Sequence, residues 1–90
     1  MTPDVRYPTK SVAIDASSTD VDLTLLFTDG YATEIYVGTS APSDVKVQSL
    51  GDSGVIYKNV PKGTSIFGIF TKVFHTGTSA SDLVARGKGV

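Results

Sequence analysis

Cysteine and tryptophan are absent from this 90-residue chain, and histidine and methionine occur once each. Without thiols there is no disulfide framework and no thiolate metal site, and the single His75 lacks the partner imidazole or thiolate that a zinc site needs. Charge of one sign is scarce as well. Eight Lys and Arg stand against nine Asp and Glu, a formal net charge of −1, and the basic residues from Arg6 to Lys88 are spread along the chain. No basic face is expected to neutralise phosphates, which argues against a nucleic-acid partner. No run approaches the roughly 18 apolar residues of a membrane span, and the opening MTPDVRYPTK has no apolar signal-peptide core. The expectation is a soluble chain without a cleaved export signal and with no membrane partner.

What is present is β-chemistry. Val, Ile, Thr, Tyr and Phe fill the apolar stretches, and Gly, Ser, Asp and Pro interrupt them at short intervals, the rhythm of an all-β sandwich or barrel. The reading is a small antiparallel β-sandwich, jelly-roll-like, of about seven to eight short strands. It occupies residues 11–86, with an extended N-terminal arm over 1–10, carrying Pro3 and Pro8, and a flexible tail over 87–90. In DLTLLFT, the alternation of Leu23, Leu25 and Phe27 with polar neighbours predicts a strand, and Asp29-Gly30 a hairpin turn into ATEIYVG. VKVQSL and VIYKNV follow as strands, with DLVAR as the last strand or a short helix opened by Ser81.

IFGIFTKVF carries the most information. Strict period two places Phe67, Ile69 and Val73 on one face and Ile66, Phe70 and Phe74 on the other, so both faces call for burial. A one-domain sandwich covers one of them; a loop, the N-terminal segment or another subunit must cover the second. These six residues form the candidate subunit interface.

The chemical motifs dissolve on inspection. GDSG at 51–54 matches the letters around a trypsin-like serine nucleophile, yet Ser53 precedes His75 and Asp82, and 90 residues cannot supply two barrels. Between two strands, those letters read as a turn. PKGT at 61–64 lacks the glycine spacing and the following helix of a phosphate loop. Asp15, Asp20 and Asp22 lie close together without the glycine and closing glutamate of a calcium loop, and read as turn-forming acids. His75 is expected to bond backbone through a ring nitrogen. Tyr7, Tyr31, Tyr36 and Tyr57 could form a sugar-stacking face, which keeps a carbohydrate- or cell-surface-binding module as the alternative function. No catalytic residue, cofactor or metal is assigned.

Three segments, IYVGT at 35–39, YKNVPKGT at 57–64 and HTGTSASDLVA at 75–85, resemble in order and spacing the small head spike-base proteins of tailed bacteriophages and gene transfer agents. The matching positions are Tyr36 to Thr39, Asn59 to Thr64 and Thr76 to Ala85, about half of the chain. Where the family pattern often has a proline after Gly-Thr, this chain has Ser65 and Ile66, and its N-terminal third matches loosely. The resemblance implies a β-sandwich that acts without catalysis as a virion structural protein, a head spike base or capsid decoration protein. It also implies a homo-oligomer, a pentameric ring or a trimeric cement, docked on the major capsid protein and on a spike or fibre protein. Its place would be the capsid surface, after assembly from the host cytoplasm.

Overall fold

A computed structural model of the chain describes residues 10–39 and 42–89; of the arm expected over residues 1–10, residues 1–9 lie outside the described residues and Lys10 belongs to the first strand. The protein is all-β: β1 (Lys10–Ile14), β2 (Val21–Asp22), β3 (Ala32–Val37), β4 (Ser43–Ser49), β5 (Val55–Val60), β6 (Thr64–Val73) and β7 (Leu83–Gly87). All pairings are antiparallel, in the order β1-β7-β3-β6-β4-β5, and β2 pairs with the end of β6. The result is a small β-sandwich in which β6 belongs to both halves. Its first residues pair with β3, and its last pair with β4 and β2.

Register explains the core. Val12, Ala85, Ile35 and Ile66 lie opposite one another across β1, β7, β3 and β6, and Gly87, Ala32 and Phe70 form the next core-side row. From Glu34 to Ala32 the chain advances two residues on β3, three on β6 (Phe67 to Phe70) and one on β7 (Arg86 to Gly87). Such bulges insert residues without a partner and reset which side chain points inward. A further shift between Gln48 and Ser49 spans two residues of β6, Lys72 to Phe70. Ile66, Phe70 and Val73 therefore all reach the core, although strict alternation separates Val73 from the other two.

Two expectations are corrected here. Of the predicted strand over DLTLLFT, only Asp22 pairs, together with the preceding Val21; Leu23–Leu25 form a 3-10 turn, because the Asp22 carboxylate accepts the backbone N–H and the hydroxyl of Thr24. Leu23 and Phe27 are buried, while Leu25 is 84% exposed. Phe27 lies over Gly87, where an added Cβ would come within 2.8 Å of its ring. The other correction concerns the C-terminal segment. DLVAR extends as β7 with no helix, and the Lys88 carbonyl accepts the N–H of Thr28, so the sheet runs one residue past the expected boundary at 86.

Burial sets a clear test. Phe70→Ala removes a fully buried ring and is expected to cost about 3–5 kcal/mol. Phe67→Ala, at a 71% exposed position, should change stability by roughly 0.5 kcal/mol or less. Urea denaturation of both variants measures the contrast.

Candidate interaction surface

The six residues of the expected interface do not share one fate. Ile66, Phe70 and Val73 are in the core, because the β6 bulges turn them inward. Phe74 is half-buried, with the ammonium groups of Lys46 and Lys72 at 4.8 and 5.3 Å from its ring centroid. Only Phe67 and Ile69 are left facing solvent, at 71% and 41% exposure. Sequence reading missed Leu50, which is 68% exposed and donates its backbone N–H to the Ile69 carbonyl at 3.3 Å. An apolar residue directly before a Gly-Asp turn was the available signal. These three side chains offer about 300 Å² of apolar surface, patch-sized but below the roughly 800 Å² that each partner buries in a standard interface.

Beside Phe67 on the outward face of β3 and β7 sits a polar row. Glu34 is opposite both Phe67 and Arg86, and its carboxylate accepts the Ser65 hydroxyl at 2.6 Å and pairs with the Arg86 guanidinium at 3.5 Å. Glu34 is nearly buried despite pointing outward, because its neighbours' side chains roof it. The edge strand β5 is the other exposed feature. Val55, Ile56 and Tyr57 are 44%, 42% and 36% exposed, and β5 pairs only with β4 among the described residues.

The three segments singled out in the sequence meet at one end of the molecule. Gly63 donates its N–H to Val37 O at 2.8 Å, and Gly38 donates to Asp82 O at 3.0 Å. The Thr39 and Ser81 hydroxyls are 3.0 Å apart. Asp44 ties the rest: its side chain accepts the Asn59 N–H, its carbonyl accepts the N–H groups of Ser79 and Ala80, and its own N–H donates to the Ser79 hydroxyl. Asn59 and Asp82 hold positive φ, +56° and +53°, a conformation Asn and Asp tolerate better than most residues. The motif letters are thus the turn chemistry of one interlocked end.

The other motif residues serve local structure. Asp52 accepts the N–H groups of Ser49 and Gly54, making GDSG the β4–β5 turn. No hydrogen bond joins Ser53 to His75 among the described residues; the His75 ring Nδ1 lies 2.9 Å from the Ala16 carbonyl and donates to it, and its backbone N–H donates to Asp20. Asp15 and Asp22 are held below the usual carboxylate pKa by the hydrogen bonds of Ser17 and Thr24 respectively. No cluster of three or more metal-ligating side chains occurs among the described residues. Tyr36 stands on the outward face beside Gly38 and Gly63, whereas Tyr57 pairs with the core residue Val45, so these two rings build no common platform. A shallow cleft of about 430 Å³ lies between Ala13–Ser17 and Ala80–Leu83. No helix of the described residues is long and apolar enough to cross a membrane.

No protein-family model, no curated protein and no solved structure matches the chain.

The interlocked end makes two predictions. A Cβ at Gly38 would meet the Asp82 carbonyl oxygen at 2.7 Å, so Gly38→Ala should destabilise by about 1–3 kcal/mol. Gly51→Ala, with nothing within 4 Å, should be neutral in the same denaturation assay. The depressed pKa values of Asp15 and Asp22 mean that the unfolded chain binds their protons more readily. Their contribution is complete above the ordinary carboxylate pKa of 3.8 and is lost as pH falls through the lower folded values. The urea midpoint of Asp15→Asn should therefore lie below that of the parent near neutrality and converge with it as pH falls through the carboxylate range.

Proposed function

We propose that this protein is a virion structural component, a head spike-base or capsid decoration protein that works by self-association and by docking on capsid and fibre partners. The observation that carries this reading is the likeness of three segments to the spike-base pattern, joined to the way those segments interlock through Asp44, Gly38 and Gly63. Two of the three segments share no sequence neighbourhood with the first, so their common end is what a fold-defining family signature should produce. The bare Phe67, Ile69 and Leu50 supply an apolar contact of the kind a scaffold protein needs and an isolated domain does not. In this reading the protein acts by position, with no chemical step, and its partners are its own copies, the major capsid protein and a spike or fibre protein. Vertex ring and trimeric cement are both compatible with it.

Purified virus or virus-like particles from the source should contain this chain, detected by mass spectrometry, and particles wholly lacking it would refute the reading. Phe67→Asp combined with Leu50→Asp should leave the denaturation midpoint nearly unchanged and reduce the copies per particle about tenfold or more, as loss of a central apolar contact does.

A further inference from the structure

β5 ends the sheet with its inner surface unfinished. Val55 and Tyr57 stand opposite Val47 and Val45, which are fully buried, yet they are themselves 44% and 36% exposed. Ile56, opposite Lys46 on the other face, is 42% exposed. Edge strands are commonly blunted by bulges, prolines or charged side chains, because their N–H and C=O groups recruit other strands. Val55–Tyr57 carry no charge and no proline, and their register to β4 shifts only beyond Tyr57. The edge at the other end of the sheet differs: in β1, Ile14 is buried and Val12 half-buried, so little apolar surface is left there to cover.

Two hydrogen bonds fix which backbone groups β5 offers. Phe74 donates its N–H to the Lys46 carbonyl at 2.9 Å, and Lys46 donates its own N–H to the Thr78 hydroxyl at 2.9 Å, so both groups of Lys46 point away from β5. In an antiparallel ladder, hydrogen-bonded and non-hydrogen-bonded pairs alternate, and each residue turns its N–H and C=O to the same side. Lys46 and Ile56 therefore form a non-hydrogen-bonded pair, and the N–H and C=O of Ile56 point to the open edge.

We propose that β5 of one copy pairs antiparallel with β5 of a second copy about a two-fold axis at Ile56. A two-fold axis normal to the sheet keeps each face on its own side, so residues that meet across it are an even number apart and the axis passes through a residue. With the axis at Tyr57, Val55 would meet Asn59, whose φ of +56° leaves the strand conformation; with the axis at Val55, Tyr57 would meet Ser53 in the GDSG turn. The axis at Ile56 matches three residues to three. Ile56 exchanges two hydrogen bonds with its copy, and Val55 lies opposite Tyr57 on both sides of the axis, so the exposed core-side surface of each copy covers that of the other. Like charges do not oppose the match: three strand spacings hold Lys46 about 14 Å from its copy, beyond the screening length at physiological salt. This self-complementarity is what selects a second copy as the occupant of the edge. The contact is small beside the roughly 800 Å² that each partner buries in a standard interface, so the dimer dissociates on dilution. The inference deepens the self-association part of the reading above and concerns the chain free of any particle.

Because the chain has no cysteine, full-length Ile56→Cys carries a single thiol, placed at the axis. Cα atoms of an opposed hydrogen-bonded pair lie about 5.5 Å apart, inside the range a disulfide spans. Under mild oxidation this variant should form a covalent dimer at least tenfold faster than Leu25→Cys, whose position is 84% exposed and outside the contact. Val55→Cys and Tyr57→Cys should cross-link when mixed and several-fold less when alone. Ile56→Lys and Ile56→Glu should each weaken dimerisation about tenfold, with the urea midpoint of the dilute protein nearly unchanged, and an equimolar mixture of the two should restore it, since only a residue on the axis meets itself. A trimer or pentamer by native mass, in which copies cannot all pair two by two, would overturn the β5 pairing and leave self-association standing. So would a multimer whose Ile56→Cys variant cross-links no faster than Leu25→Cys. A monomer at every concentration would remove both.

Discussion

The structure depends on β6 changing its register while remaining one strand. Ten residues carry the apolar sequence IFGIFTKV, and an uninterrupted pleat would split that surface equally between core and solvent. The two bulges gather Ile66, Phe70 and Val73 on the inner side, opposite Ile35 from β3 and Val47 from β4. Both halves of the sandwich are therefore built on the same strand. Bulges also bend and twist a strand, which is what lets one continuous sheet enclose its own core. What the bulges leave outside, Phe67 and Ile69, is exposed apolar surface.

The opposite end of the molecule is held by backbone hydrogen bonds more than by apolar area. Asp44 meets Asn59 near the end of β5 and Ser79 and Ala80 from the β6–β7 connection, so a distant strand end and a loop are fixed by one short side chain and its peptide groups. Small residues are needed because the chains approach closely, most plainly at Gly38 against Asp82. The proposed family likeness lies in these loops, whose letters a fold class alone does not dictate. The same logic separates the motifs that matter from those that only look chemical. GDSG and the acidic stretch are organised by Asp52, Asp15 and Asp22 acting as acceptors for nearby N–H groups.

Much of the architecture was legible because turn residues and alternation agree. VKVQSL, VIYKNV and DLVAR became β4, β5 and β7, with Val45 and Val47 inward as their spacing requires. Where the reading failed, a local interaction overrode the pattern. Leu23, Leu25 and Phe27 alternate, but the Asp22–Thr24 bonds coil the chain, and the buried pair ends up four residues apart. β1 carried too weak a signal, with Ser11 and Ala13 outward and few apolar letters. The six-residue interface was overdrawn for a different reason: bulges in β6 arise from pairing with β3 and β4, and only Gly68, an isolated glycine within the strand, hints at one of them. Asp44 was invisible as a centre because its partners lie 15 and 35 residues away.

The described residues close one core and leave Phe67, Ile69, Leu50 and the β5 edge exposed, and the proposed self-association rests on those features. The measurement that tests this most directly is the native mass of the full chain over a wide dilution series, by native mass spectrometry or light scattering. The account predicts a discrete multimer that persists into the micromolar range and dissociates on further dilution. A monomer at every concentration, from protein shown to be folded, would contradict it.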